Sequence, residues 1–195
     1  MSSTQETRPE LYLLRHGETE WSKSGQHTGR TDIPLTGHGR EQAEKLSHGI
    51  AGVNFVGAFT SPLRRASETA KLLGLTNAVP TPDLLEFDYG EYEGITTSDI
   101  RKQVPDWTVW SHPCPKGETL EHVAARAKRF IQSISFLQGK VAVVSHGHFL
   151  RILTATWLKL DPSEGRHFIL DTTTLSILSY EREATAIKLW NSPVV

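Results

Sequence analysis

The sequence predicts an α/β fold: one domain built as a three-layer α/β/α sandwich around a mostly parallel central sheet. Three observations predict it. Short, continuous apolar runs at 11–14, 56–59 and 141–144 read as strands buried on both faces. Each is followed by a turn and then a helix-period pattern, the alternation that a parallel sheet requires. The chain has 195 residues, 37% apolar and 22% charged, which suits one well-buried core and excludes a disordered, collagenous or disulfide-stapled chain. The domain is expected to span 1–195, with 1–9 as a disordered tail.

Each element has its own justification. After the first strand a polar loop leads to a helix over 39–50, with Thr36 as N-cap and Ala43, Leu46 and Ile50 facing inward. After the second, Ser61-Pro62 reads as N-cap and N1. Leu63, Ala66, Ala70 and Leu73 then share a face, and Gly74 ends the helix. The longest helix is expected over 119–137, burying Leu120, Val123, Ala127, Ile131 and Ile134. Phe149, Leu153, Trp157 and Leu160 form the stripe of the helix after the third strand. Runs at 175–180 and 186–190 predict a hairpin of added edge strands, whose pairing into a homodimer the sequence leaves open.

Composition removes several function classes. Net charge is −1, from 21 basic and 22 acidic residues, so no global field recruits nucleic acid or a membrane surface. No apolar run approaches the ~20 residues of a membrane span. The opening MSSTQETRPE lacks the apolar stretch of a signal peptide. The single cysteine, Cys114, cannot close an intrachain disulfide, which fits a reducing, cytoplasmic setting. It lies between two prolines, with nothing nearby to activate a thiol.

The informative pattern is an echo. One strand exits as Arg15-His16-Gly17 and a later one as Ser145-His146-Gly147-His148, 130 positions on from the first histidine. Ligands in such sheets bind beyond the carboxyl ends of strands, so both histidines can serve one site. The glycines let the backbone turn and approach a ligand. Arg64 and Arg65 fall in the first turn of a helix, where cations oppose the macrodipole by about 0.3–1 kcal/mol each and a bound anion offsets that cost. With Arg15 and two histidines, the implied ligand is a dianionic phosphoryl group.

At these residues a resemblance becomes specific. Arg15-His16-Gly17 with Glu18-Thr19-Glu20-Trp21, Ser61-Pro62-Leu63-Arg64-Arg65-Ala66, Glu86 through Gly94, and Ser145-His146-Gly147 resemble, in order, four motifs of the histidine phosphatase (phosphoglycerate mutase-like) superfamily. The resemblance implies that His16 is the nucleophile, that Arg15 and Arg65 clamp the phosphate, and that His146 donates to the phosphoryl group. An imidazole beside Arg15 stays neutral and keeps its lone pair. An alkoxide leaving group calls for a general acid. Composition does not choose among Glu86, Asp88, Glu91 and Glu93, whereas the family pattern implies Glu86. Asp88, Glu91 and Glu93 otherwise read as a solvated loop or hairpin.

Around this centre, Ser22, Gln26, His27, Thr28 and Gly29 in the 22–31 loop, with Gly147 and His148, are the expected substrate contacts. Mutases of the family carry Asn where this chain has Ser22. They have a lysine where it reads Ile95-Thr96-Thr97, and often His-Gly-Asn where it reads His146-Gly147-His148. The extended match resembles the small sugar-phosphate phosphatases, including sedoheptulose-bisphosphatase-like and acid-phosphatase-like members. The expected activity is therefore a metal-independent phosphomonoesterase without cofactor, whose partner is a small phosphorylated sugar or polyol. The alternatives are mutase-type phosphoryl transfer, a non-catalytic phosphosugar or phosphopeptide binder, and a metallohydrolase using His16, His146 and His148. Trp107 and Trp110, near His112 and Cys114, either close over the crevice as a lid or pack their insert onto the core. Lys116 is the nearest cation for a second phosphate, and with no basic cluster beside it a monophosphate is favoured.

Overall fold

The computed structural model describes residues 8–193. The apolar runs form strands: β1 (Pro9–Arg15), β2 (Phe55–Thr60), β3 (Val79–Pro80) and β4 (Gly139–Ser145) precede the hairpin of β5 (Thr174–Glu181) and β6 (Ala184–Pro193). Between them run α1 (Glu20–Ser24), α2 (Gly37–Gly49), α3 (Arg64–Leu72), α4 (Thr97–Ile100), α5 (Leu120–Ser133) and α6 (Gly147–Trp157). The strand order is β3-β2-β4-β1-β5-β6. β1, β2, β3 and β4 pair in parallel, whereas β5 joins β1 and β6 antiparallel. The sheet is thus mostly parallel, as the alternation predicts.

Pleating sends alternate residues of each central strand to opposite faces, and each face is covered. Leu11, Leu13, Val141 and Val143 meet α5 and α6 through Val123, Ala127, Phe130, Phe149 and Leu153. Tyr12, Leu14, Ala142 and Val144 meet α2 and α3 through Leu46, Ala66, Ala70 and Leu73. That double burial explains the unbroken apolar runs. Among the described residues, no helix is long and apolar enough to cross a membrane.

Helix ends depart from expectation for local reasons. Thr36 caps α2 through its hydroxyl and Gly74 closes α3 with φ +78°, as anticipated. α3, however, begins at Arg64 and not at Pro62. The Ser61 hydroxyl is drawn to His146 Nε2 at 2.7 Å, and Asp32 Oδ1 accepts the Arg64 N–H at 2.8 Å in its place. α5 stops at Ser133, short of 137, because Ser133 and Ser135 turn their hydroxyls back on the carbonyls of Phe130 and Gln132. Leu160 lies past the end of α6, where Lys159 adopts φ +59°, and it is exposed. The expected tail over 1–9 falls outside the described residues as far as 7, and Pro9 already opens β1.

Candidate active site

β1 and β4 are neighbours in register, with Arg15 opposite Ser145, so the two histidines leave the sheet side by side. The His16 N–H donates to the Ser145 carbonyl at 3.0 Å, and the imidazole centroids lie 5.1 Å apart. His16 Nδ1 lies 2.7 Å from the Gly17 carbonyl oxygen. A carbonyl only accepts, so Nδ1 carries the proton and Nε2 holds the free lone pair. Burial first, then the charges of Arg65 and Arg15, hold His16 well below the usual imidazole range, against the opposing effect of its bond to Gly17. The ring is neutral, with the Nε2 lone pair unengaged.

His146 is fully buried between two partners. Arg65 Nε–H donates to its Nδ1 at 3.1 Å, which leaves the proton on Nε2 to donate to Ser61 Oγ at 2.7 Å. The rest of the Arg65 fork binds loop carbonyls: Thr31 from Nη1, and Thr28 and Gly29 from Nη2. Arg65 therefore braces the 28–31 loop against His146 as well as charging the site. Arg15 is different. Its Nη1 donates to the Leu170 carbonyl, while its buried Nε is the one such side-chain atom without a hydrogen-bond partner among the described residues. An orphaned, buried guanidinium N–H is a donor that suits an anionic oxygen.

Glu86 is buried at the N-terminus of α6. Its Oε1 accepts from the N–H groups of Phe87 and Phe149, both at 2.8 Å, and Oε2 accepts from His148 N–H at 3.1 Å. A crevice of about 200 Å³ opens in front of these groups. Arg15, Glu86, Ser22, Gln26, His27, Thr28, Gly147 and His148 line it, eight of the twelve residues expected at the site. His16, Arg65, His146 and Gly29 are buried and are not among its lining residues. Several lining side chains are already engaged. The Ser22 hydroxyl closes a capping box with Thr19, and Gln26 Nε2 donates to the Gly94 carbonyl.

Sequence reasoning misplaced some roles. Gly17 is required because a Cβ there would collide with the Gly39 carbonyl, and Gly147 lets the Arg15 guanidinium lie against the helix, 3.3 Å from where a Cβ would stand. Glu93 is no solvated carboxylate, since it accepts from Arg30 N–H, Thr31 N–H and the Thr31 hydroxyl and so pins the loop that Arg65 reads. Asp88 accepts from Gly90 N–H, a turn role, whereas Glu91 is solvent-facing and pairs with Lys116 at 2.6 Å. Lys116 is thereby spent outside the crevice. Trp107 is buried in the core, while Trp110 stays half-buried beside His148, ring centroids 5.1 Å apart. Cys114 is buried and its thiol is pushed up to about 12, chiefly by burial, so it is inert. Arg151 and Leu170 also line the crevice and carried no sequence signal; Tyr89 lines it as well and lies within the third motif, although the sequence did not single it out. Arg126, paired with Glu118 at 2.8 Å, donates to the Glu86 carbonyl and supports the acid from behind.

Four histidines are neutral in the folded state. His146 and His148 are held well below the usual range by burial and neighbouring cations, as His16 is, and burial lowers His27 to about 4. The unfolded chain takes up these protons below about pH 6.5, so stability is complete above that pH and falls on acidification. For His27 the loss runs from about 6.5 down to about 4. Urea midpoints of His27→Phe are expected to drop less than those of the wild type across this window. An unchanged pH slope would refute the assignment.

Comparison with known proteins agrees with the geometry. The family model for the histidine phosphatase superfamily (branch 1) matches residues 11–193. The chain is 43% identical over 175 residues to an acid phosphatase of Mycobacterium tuberculosis, covering 88% of this chain and 86% of that one. It is 34% identical to the sedoheptulose 1,7-bisphosphatase of Saccharomyces cerevisiae, over 78% of this chain and 68% of the relative. A solved structure of an open reading frame product from Mycobacterium tuberculosis superimposes with a TM-score of 0.90 at 39% identity, covering 95% of this chain and 98% of the other.

Proposed function

The chain belongs to the histidine phosphatase superfamily as a phosphatase acting on phosphorylated substrates, and from that premise we propose that it is a metal-independent phosphomonoesterase that hydrolyses a small phosphorylated sugar or polyol through a phosphohistidine on His16. One observation carries the reading: a neutral His16 with Nε2 free stands beside the unpartnered Nε–H of Arg15. In the proposed reaction Nε2 attacks phosphorus in line with the ester oxygen. The guanidinium donors stabilise the spreading equatorial charge. Glu86 gives a proton to the departing alkoxide, whose P–O bond breaks as the P–N bond forms. The same carboxylate then takes a proton from water as it cleaves the phosphohistidine, restoring both groups. Oε2 of Glu86 accepts a single N–H and keeps a lone pair for this traffic. Absence of the family's mutase lysine at Ile95-Thr96-Thr97 supports hydrolysis over transfer.

The test is inorganic phosphate release, in EDTA, from three- to seven-carbon sugar and polyol phosphates and 3-phosphoglycerate. Turnover is expected to be insensitive to chelator. Glu86→Gln should lower it by about 10²- to 10⁴-fold on alkyl phosphates. On p-nitrophenyl phosphate, whose leaving group needs no proton, the rate of the first p-nitrophenol burst should stay within about tenfold, while steady turnover falls because glutamine cannot take the proton of the hydrolytic water. Isomerisation of 3-phosphoglycerate with little phosphate freed would establish a mutase, and activity abolished by EDTA would reject the mechanism.

A further inference from the structure

Glu118 precedes Thr119, the N-cap of α5, and is not among the residues lining the crevice. Its carboxylate reaches the site from behind, through two arginines. Oε1 accepts from Arg126 Nε and Oε2 from Arg126 Nη2, both at 2.8 Å. Oε2 also lies 3.3 Å from Arg30 Nη2 and accepts from the Asp88 N–H at 3.1 Å. The Glu118 N–H donates back to the Asp88 carbonyl at 2.9 Å. Gly117 permits this approach, because a Cβ there would collide with the same carbonyl. Against the upward pull of burial, the bonds and charge of Arg126 keep the Glu118 carboxyl below its usual range, so it is an anion.

Each arginine leads to a different part of the site. Arg126 also donates to the carbonyls of Asp83, Leu85 and Glu86, at 2.7, 2.9 and 3.3 Å. Its guanidinium lies 5.2 Å from the ring centroid of Phe149, whose N–H binds Glu86 Oε1. Arg126 thus fixes the backbone that carries Glu86. Arg30 stands between Gly29 and Thr31, whose carbonyls the Arg65 fork binds. Its other acidic neighbour, Asp88, is farther off at 3.9 Å. The attraction in a half-buried ion pair is largely offset by desolvation of the two charges, so stability is a poor account of one carboxylate committed to two arginines. We propose that Glu118 is a positioning residue that couples the phosphate-clamping loop to the general acid: through Arg30 and Arg126, one carboxylate sets where the Arg65 loop stands relative to Glu86. This rests on the phosphatase reading above and adds a residue to it. Glu118 touches no substrate and moves no proton.

The experiment measures the rate constant of phosphoenzyme formation by rapid quench, with substrate in excess. The substrates are p-nitrophenyl phosphate and the fastest-hydrolysed sugar or polyol phosphate of the panel above. The enzymes are wild type, Glu118→Gln, Arg30→Gln and the double variant. This rate constant does not depend on how much enzyme is folded, so destabilisation alone leaves it unmoved. Glu118→Gln is expected to slow transfer from the alkyl phosphate by about 10- to 100-fold, and from p-nitrophenyl phosphate by less than about tenfold. A displaced acid matters only to the first substrate, whereas a displaced clamp loop matters to both. Arg30→Gln should slow both substrates alike, by about 3- to 10-fold. In the Glu118→Gln background the same change should cost less than about twofold, because the link it breaks is already gone. Equal slowing of the two substrates by Glu118→Gln, or an Arg30→Gln penalty undiminished in that background, would overturn the coupling and leave the phosphatase intact. Arg30, whose side chain is 32% exposed, gives the variant least able to unfold the chain, and wild-type rates in Arg30→Gln would by themselves overturn the coupling. Wild type that forms no phosphoenzyme from any substrate of the panel would overturn both.

Discussion

His16→Ala is expected to lose at least about 10⁴-fold in phosphate release while keeping its fold. The size follows from what the imidazole contributes as the proposed nucleophile: it is buried with its tautomer fixed by Gly17, and a water in its place lacks both the fixed position and the fixed tautomer. The fold should survive because the side chain makes a single bond, to its own neighbour Gly17, whereas the backbone N–H that ties β1 to β4 is kept. Rapid-quench labelling supplies the second readout. Wild type should show an acid-labile phosphoenzyme that forms and decays, and the variant none. Turnover within about 100-fold of wild type would remove His16 from the chemistry.

Arg65→Met should damage activity and stability together. The guanidinium is fully buried and bonds His146 and the carbonyls of Thr28, Gly29 and Thr31. Methionine matches its length but donates nothing, so three carbonyls and a ring nitrogen lose their partner. With about 1–3 kcal/mol for each buried group left unsatisfied, and partial relaxation of the loop, a loss of about 3 kcal/mol or more is expected. Loss of transition-state charge stabilisation and of loop geometry should lower kcat by about 10³-fold. Lysine should not rescue it, because an ammonium cannot span the fork. A urea midpoint and a turnover both close to wild type would show that the loop holds itself.

The strands were legible because burial on two faces leaves no room for polar residues, and four apolar residues in a row say so. Helix ends were less legible, because they are decided by partners far away in sequence. Ser61 keeps only a long bond from the Leu63 N–H at 3.4 Å because its hydroxyl is shared with His146, 85 positions on, and Asp32 takes the Arg64 N–H. The histidines and Arg15 announced themselves by type and by position at strand ends. Arg151, Tyr89 and Glu93 did not: an arginine in mid-helix reads as solvated, and an acid in an acidic loop as one more surface charge. Only the packing of α6 against Trp110 and of the 28–31 loop against the 90–97 segment gives them roles.

The pairing of β1 with β4 has a consequence for how the enzyme comes into being. The two histidines are adjacent only through this ladder, which joins the first strand to one begun 130 residues later. Closure of so long a loop comes late in folding. A chain emerging from synthesis can therefore hold β1, β2 and the helices between them and still have no catalytic centre. Competence arrives as a single event when β4 slots in between β2 and β1. Phosphate esters met before that moment are safe from it.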